Sequence, residues 1–169
     1  MRSEGVRSLT LPVGAPHSDG MKTTLSSLLV IGYGSTLRGD DAAGFRLAEE
    51  LSAEEGISTM PVHQLTPDLA AAIAEAEEVV FVDAEFGDYV NGLQIHLLLP
   101  GGKGSASSHG CSPSALLDLA DRLYGRRPVA TVIGIPARDA GLSEQVSAIT
   151  RTGIEDAKRW ILERWACHA

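Results

Sequence analysis

The sequence is poor in cysteine and contains no long hydrophobic run. Cys111 and Cys167 are the two cysteines among 169 residues. Two cysteines are too few for a disulfide framework, and they fit a reducing compartment. No apolar stretch approaches the roughly 20 residues that a membrane-spanning helix needs. We therefore expect a cytoplasmic protein without a membrane partner.

Basic residues are also scarce. The chain has 14 Lys and Arg against 22 Asp and Glu, which gives a formal net charge of −8. Nucleic-acid binding needs a basic surface, so this composition argues against a nucleic-acid partner. The sequence also lacks the GxSxG, HExxH, CxxC and GxxxxGK(S/T) patterns of serine hydrolases, zinc peptidases, thiol redox proteins and phosphate-binding loops.

The length and composition are those of one globular domain. A hydrophobic content of 44% with 21% charged residues is ordinary for a folded chain of this size. Residues 1–24 are dominated by Ser, Gly, Pro and charge and lack the apolar centre of a signal peptide. We expect a disordered leader over 1–24 and a single α/β domain over 25–169.

Strand and helix patterns alternate after residue 25. The hydrophobic spacing predicts strands near 26–32, 57–63, 78–83, 92–99 and 129–135, and helices near 41–55, 67–76, 112–125 and 144–165. The Gly- and Ser-rich residues 100–111 are typical of a loop. This alternation predicts a three-layer α/β sandwich, in which helices flank both faces of a twisted, mostly parallel sheet.

An acid pair follows the first predicted strand. Residues 28–45, LLVIGYGSTLRGDDAAGF, read as an apolar strand, a glycine turn, and then Asp40 and Asp41 at the start of a helix. A carboxylate at that point lies at the carboxyl edge of a parallel sheet, where open α/β folds bind ligands. Acids are also common helix caps. We expect Asp40 to cap the helix and Asp41 to face elsewhere, although the two could exchange roles.

A second acid and a histidine could join Asp41. Asp83 ends the third predicted strand and should reach the same sheet edge, while His109 lies in the glycine-serine loop and could fold over it. Two carboxylates and an imidazole suit a divalent metal with open positions. The alternative is that Asp83 is a turn acid and His109 a solvated loop residue, since no local motif links the three.

Other polar residues are expected to have no role in catalysis. Glu85 and Asp88 fall in a polar turn after the third strand and should be solvated. His63 and His96 lie in or beside strands and are expected to be structural. Cys111 is expected to be a buried loop thiol rather than a ligand for a soft metal.

Four segments together resemble one known family. GYGSTLRGDDAAG at 32–44 is similar to the pattern GxGNxLxxD(D/E)xxG, and FVDA at 81–84 is similar to a strand-end Asp-Ala. SSHGCSPSALLDLADRLYG at 107–125 and IGIPA at 133–137 resemble its loop histidine, leucine-rich helix and last strand. The chain thus resembles the hydrogenase maturation proteases, endopeptidases that trim the C-terminus of the nickel-iron hydrogenase large subunit.

The resemblance implies a function and a set of site residues. It implies an aspartic-type or metal-dependent endopeptidase that removes the C-terminal extension of the large-subunit precursor after nickel insertion. Asp41, Asp83 and His109 would be both the catalytic and the nickel-contacting residues. The nickel would come with the precursor, and the isolated protein could hold another divalent metal. We expect a monomer. Ser35 replaces the usual asparagine of the family, which bears on fine specificity.

Three questions stay open at this stage. The water could be activated by the metal, or by Asp41 or Asp83 as a general base. The chain could instead be a non-catalytic, nickel-sensing chaperone that holds the precursor. It could also be a small nucleotide-binding α/β protein, since the turn 32–39 has the first two glycines of a dinucleotide fingerprint, with Leu37 where the third belongs.

Overall fold

Five strands form one sheet in the part of the chain that the structure describes. The structure is a computed structural model, and it describes residues 28–88, 91–99 and 111–166. The strands lie in the order β2-β1-β3-β5-β4. Their bounds are β1 (Leu28–Tyr33), β2 (Ile57–Val62), β3 (Glu78–Phe86), β4 (Gln94–Leu97) and β5 (Val129–Ala137). All neighbours are parallel except β4, which runs antiparallel to β5 at the edge.

Helices cover both faces of this sheet. They are α1 (Ala43–Leu51), which follows a 3-10 turn over Gly39–Ala42, α2 (Leu69–Glu75), α3 (Pro113–Tyr124) and α4 (Ala148–Ala166). α1 and α4 pack on one face, and α2 and α3 pack on the other. The predicted three-layer, mostly parallel sandwich is therefore confirmed. The predicted leader 1–24 lies outside the described residues. None of the helices in the described ranges has the length and hydropathy of a membrane span.

The apolar runs in the strands follow from burial on two faces. Leu28 and Val30 belong to the core under α1 and α4, whereas Leu29 and Ile31 belong to the core under α2 and α3. Successive side chains of a strand point to opposite faces, so a central strand in a three-layer fold must be apolar at every position.

The strand order creates a crevice beside β1. β1 lies between β2 and β3. The connection after β1 leads to β2 on one side of it, and the connection after β2 leads back to β3 on the other side. Such a reversal opens a crevice at the carboxyl ends of the two diverging strands, which is where open α/β sheets bind ligands. The 3-10 turn that follows β1 borders this crevice.

Two predicted boundaries differ from the structure for reasons of tertiary contact. β3 continues to Phe86 rather than ending at residue 83, because Phe86 still pairs with Ala137 of β5. α4 begins at Ala148 rather than near residue 144. The backbone N–H of Ser147 donates to the Asp40 carboxylate at 2.6 Å, so this residue is held outside the helix.

Glycines allow α1 to touch the backbone of the sheet. A Cβ atom on Gly32 would lie 1.9 Å from the carbonyl oxygen of Gly44. A Cβ atom on Gly44 would lie 2.1 Å from the carbonyl oxygen of Val82 and 2.6 Å from that of Tyr33. Both distances are far below van der Waals contact. The first turn of α1 therefore sits directly on β1 and β3, which brings Asp41 in the preceding turn to the crevice.

Replacing Gly44 should test this contact. We expect Gly44→Ala to destabilise the fold by about 2–3 kcal/mol, because the added methyl group forces helix and sheet apart. Gly92→Ala is the matched control, since a Cβ atom there meets nothing within 4 Å. Urea denaturation followed by circular dichroism measures both variants. Equal midpoints for the two would contradict the close approach.

Candidate active site

A cavity of about 600 Å³ opens at the carboxyl ends of β1 and β3. It extends over the α2 and α3 face toward β5 and β4, and the N-terminal residues of α3 form one wall. No lysine or arginine is among the described residues that line it. The polar side chains on its wall are those of Tyr33, Asp41, His63, Gln64, Asp83, Glu85, His96, Cys111, Ser112 and Ser114.

The turn after β1 positions Asp41. The backbone N–H of Ser35 donates to Asp41 Oδ2 at 2.9 Å, and Gly34 has a φ of +138°. A Cβ atom on Gly34 would lie 1.8 Å from the carbonyl oxygen of Asp41, so only glycine fits there. Asp41 is half-buried at the cavity. Because Ser35 holds it through the backbone, this bond does not depend on the residue type at position 35.

Asp83 lies in the second half of β3, on the same cavity. Burial raises the pKa of this carboxyl to about 6, and the charges of Asp41 and Glu85 add to the rise. Hydrogen bonds from the backbone N–H of Ala84, at 2.8 Å, and from the Tyr33 hydroxyl oppose it. Burial and the Asp83 charge in turn hold the pKa of Tyr33 well above its ordinary value. Asp83 can therefore exchange a proton near neutral pH.

Asp40 is not the helix cap that the sequence predicted. No side chain caps the 3-10 turn or α1. Asp40 is fully buried and accepts backbone N–H bonds from Arg138 at 2.8 Å, Asp139 at 2.9 Å and Ser147 at 2.6 Å. The Ser147 hydroxyl donates a fourth bond, at 2.8 Å. Burial alone would raise the pKa of Asp40, but these hydrogen bonds outweigh it and lower the pKa.

The contacts of Asp40 fix the turn that carries Asp41. The backbone N–H of Asp40 donates to the Asp139 carbonyl at 2.8 Å, and that of Gly39 donates to the Ser143 carbonyl at 2.7 Å. The turn 35–41 is thus bonded to the segment 138–147 through both side chain and backbone. Asp40 faces the interior and Asp41 faces the cavity, so the exchange of roles left open by the sequence does not occur.

The structure brings together two of the three predicted site residues. Asp41 and Asp83 line one cavity. His109 lies outside the described residues, although Cys111, two positions later in the sequence, also lines the cavity. Within the described ranges, no group of three or more His, Cys, Asp or Glu could hold a metal ion.

Sequence reasoning missed several residues on the cavity wall. Glu85 was expected in a solvated turn, but it belongs to β3, pairs with Pro136 and lines the cavity. His63 and His96 were expected to be structural, and both line the cavity with exposed side chains. Strand alternation could have identified His96, because it faces away from Ile95. No local pattern could have identified Glu85, because β3 extends as far as Glu85 only through its pairing with β5.

Comparison with solved structures finds proteins of similar fold. Neither a protein-family model nor a curated protein sequence matches the chain. Among solved structures, the NiFe hydrogenase maturation protease HycI from Thermococcus kodakarensis is 24% identical, with a TM-score of 0.63 over 82% of this chain and 91% of that chain. The hydrogenase maturating endopeptidase HybD from E. coli is 19% identical, with a TM-score of 0.64 over 84% and 93%.

A third structure extends this similarity. The hydrogenase 2 maturation peptidase from a Thaumarchaeota archaeon is 23% identical, with a TM-score of 0.61 over 82% of this chain and 97% of that chain. These similarities cover nearly all of each solved chain. The protein therefore has the α/β fold of these peptidases, as its sequence resemblance implied.

The two adjacent acids should respond differently to neutralisation. We expect Asp40→Asn to lower the free energy of unfolding by about 2–4 kcal/mol, because the amide NH₂ would face a backbone N–H in a buried site. Asp41→Asn, which affects a single hydrogen bond at a half-buried residue, should cost less than about 1 kcal/mol. Urea denaturation of both variants at pH 7 provides the measurement. A larger loss of unfolding free energy for Asp41→Asn than for Asp40→Asn would refute the assignment of Asp40 as the buried anchor.

Asp83 should lower the stability of the metal-free protein at neutral pH. Folding raises its pKa from 3.8 to about 6, so its ionisation opposes folding, and stability falls as pH rises through this interval. We expect Asp83→Asn to be more stable than wild type at pH 8, by up to about 3 kcal/mol, and the gain to shrink as pH falls toward 3.8. Thermal melting with a chelator, with the surface variant Asp121→Asn of α3 as control, measures this. A gain independent of pH would contradict it.

Proposed function

We propose that this protein is a hydrogenase maturation endopeptidase, which removes the C-terminal extension of a nickel-iron hydrogenase large-subunit precursor after nickel insertion. One observation carries the proposal. Asp41 and Asp83, the acids of the two segments that resemble this family, line one cavity at the carboxyl edge of the sheet. The fold around them is also that of solved hydrogenase maturation peptidases.

The cavity suits a peptide that carries a divalent cation. Three carboxylates line it, those of Asp41, Asp83 and Glu85, and no lysine or arginine neutralises them from the described wall. Oxygen and imidazole ligands are both common for divalent transition metals, so His109 would complete a set with Asp41 and Asp83. Nickel would enter as part of the precursor. A volume of about 600 Å³ admits a few residues of an extended chain and excludes a folded domain.

The chain's own residues would hold this substrate in place. Asp41 is fixed by the Ser35 backbone, and Asp83 by Ala84 and Tyr33, so neither carboxylate must reorganise to meet a cation. A divalent ion beside a peptide carbonyl polarises that carbonyl and lowers the pKa of bound water. Hydrolysis also needs a group that moves a proton from water to the leaving amine.

The remaining properties belong to the same proposal. The acids make the enzyme an aspartic-type or metal-dependent peptidase in which Asp41, Asp83 and His109 act together. The cysteine content supports a cytoplasmic location, where a hydrogenase precursor would be processed. We propose that the enzyme acts as a monomer on the precursor.

Cleavage of a nickel-loaded precursor tests the function. Wild type should shorten the large subunit, as seen by mass spectrometry. Asp41→Asn and Asp83→Asn should reduce the rate by about 100-fold or more, because each removes a charge that faces the cation. Asp118→Asn, on the surface of α3, is the matched control and should cleave at the wild-type rate.

The alternative functions have their own outcomes. Wild-type protein that binds the nickel-loaded precursor without shortening it would be a chaperone, and the peptidase proposal would fail. Micromolar binding of a nucleotide in calorimetry, abolished by a substitution in the turn 32–39, would indicate the nucleotide-binding alternative instead.

A further inference from the structure

His63 lies between the main cavity and a second one. It follows the last residue of β2 directly and lines the cavity that contains Asp41 and Asp83. It also lines a second cavity of about 400 Å³, which borders the turn after β1. The other residues of that second cavity are Thr36, Leu37, Phe45, Arg46, Glu49 and Glu144. Of the described residues, His63 alone lines both cavities.

Two contacts hold the imidazole of His63. Its ring stacks on Phe45 of α1, with centroids 5.1 Å apart and planes 10° apart. Its Nδ1 atom lies 3.4 Å from the carbonyl oxygen of Gly34. A carbonyl oxygen only accepts hydrogen bonds, so Nδ1 is the donor in this contact. In the neutral ring, Nε2 is then the unprotonated nitrogen, able to accept a proton.

The other proton acceptors on the cavity wall are less suitable. In the proposed function, Asp41 and Asp83 face the cation, which favours their ionised forms and weakens them as bases. Glu85 and His96 are exposed, as His63 is, but no side-chain hydrogen bond or ring contact within the described residues fixes either of them. Efficient proton transfer requires a group held within hydrogen-bond reach of the reacting atoms. His63 alone among these combines a fixed ring with a position outside the acid pair.

We infer that His63 is a further catalytic residue of this site, the group that carries a proton from the attacking water to the leaving amine. The inference rests on the proposed function. As the water oxygen bonds to the scissile carbonyl carbon, one water proton moves to Nε2. The same proton passes to the peptide nitrogen as the C–N bond breaks. The products are a carboxylic acid on the subunit and an amine on the released extension.

Substitution of His63 separates proton transfer from structure. The amide nitrogen of Asn can replace Nδ1 as donor to Gly34, but Asn cannot carry a proton. We therefore expect His63→Asn to lower kcat on nickel-loaded precursor by about 100-fold or more, with KM and Tm close to wild type. Asp118→Asn, on the surface of α3, is the control and should retain kcat within about threefold.

Chemical rescue gives the second measurement. We expect 4-methylimidazole to raise the cleavage rate of His63→Ala at least tenfold, because the added base can fill the position of the missing imidazole. The same compound should not rescue Asp83→Asn, which excludes a general effect on nickel. Retained kcat in His63→Asn, a loss confined to KM, an equal loss in Asp118→Asn, or failure of rescue would each overturn the role of His63. Failure of wild type to cleave would overturn the proposed function itself.

Discussion

The buried carboxylate of Asp40 is the contact on which the rest of the site depends. No salt bridge to it occurs among the described residues, and its charge is stabilised by four hydrogen bonds from the segment 138–147. A buried carboxylate without these donors would cost several kcal/mol, so turn and segment must meet for either to be stable. Their contact sets the backbone from Gly39 onward and leaves Asp41, the next residue, facing the cavity.

Close packing extends this constraint to the second acid. Because Gly32 and Gly44 have no side chains, α1 rests on the backbone of β1 and β3 without intervening atoms. The carboxyl ends of these neighbouring parallel strands carry the turn to Asp41 and the strand residue Asp83. Two acids that are distant in sequence thus share one crevice, and the reversal in strand order keeps that crevice open.

The same crevice is electrostatically unfavourable in the free protein. Burial and the neighbouring acids raise the pKa of Asp83. No lysine or arginine on the described wall neutralises the negative charges of these acids. A fold selected only for stability would neutralise such a cluster. Retained carboxylates that face an open cavity are typical of a functional site, where the cation arrives with the ligand. The proposed nickel-bearing precursor is a ligand of this kind.

The sequence by itself determined the layers, most of the strands and the shared edge of Asp41 and Asp83. These follow from local periodicity and from the rule that parallel strands end together. Only the tertiary structure decided that Asp40 is a buried anchor, that Glu85 belongs to β3, and that His63 faces the cavity. The donors to Asp40 lie about 100 positions away in the sequence, at separations of 98 to 107 residues. Local spacing cannot encode such partners, because they exist only once α1, β5 and the segment before α4 have packed together.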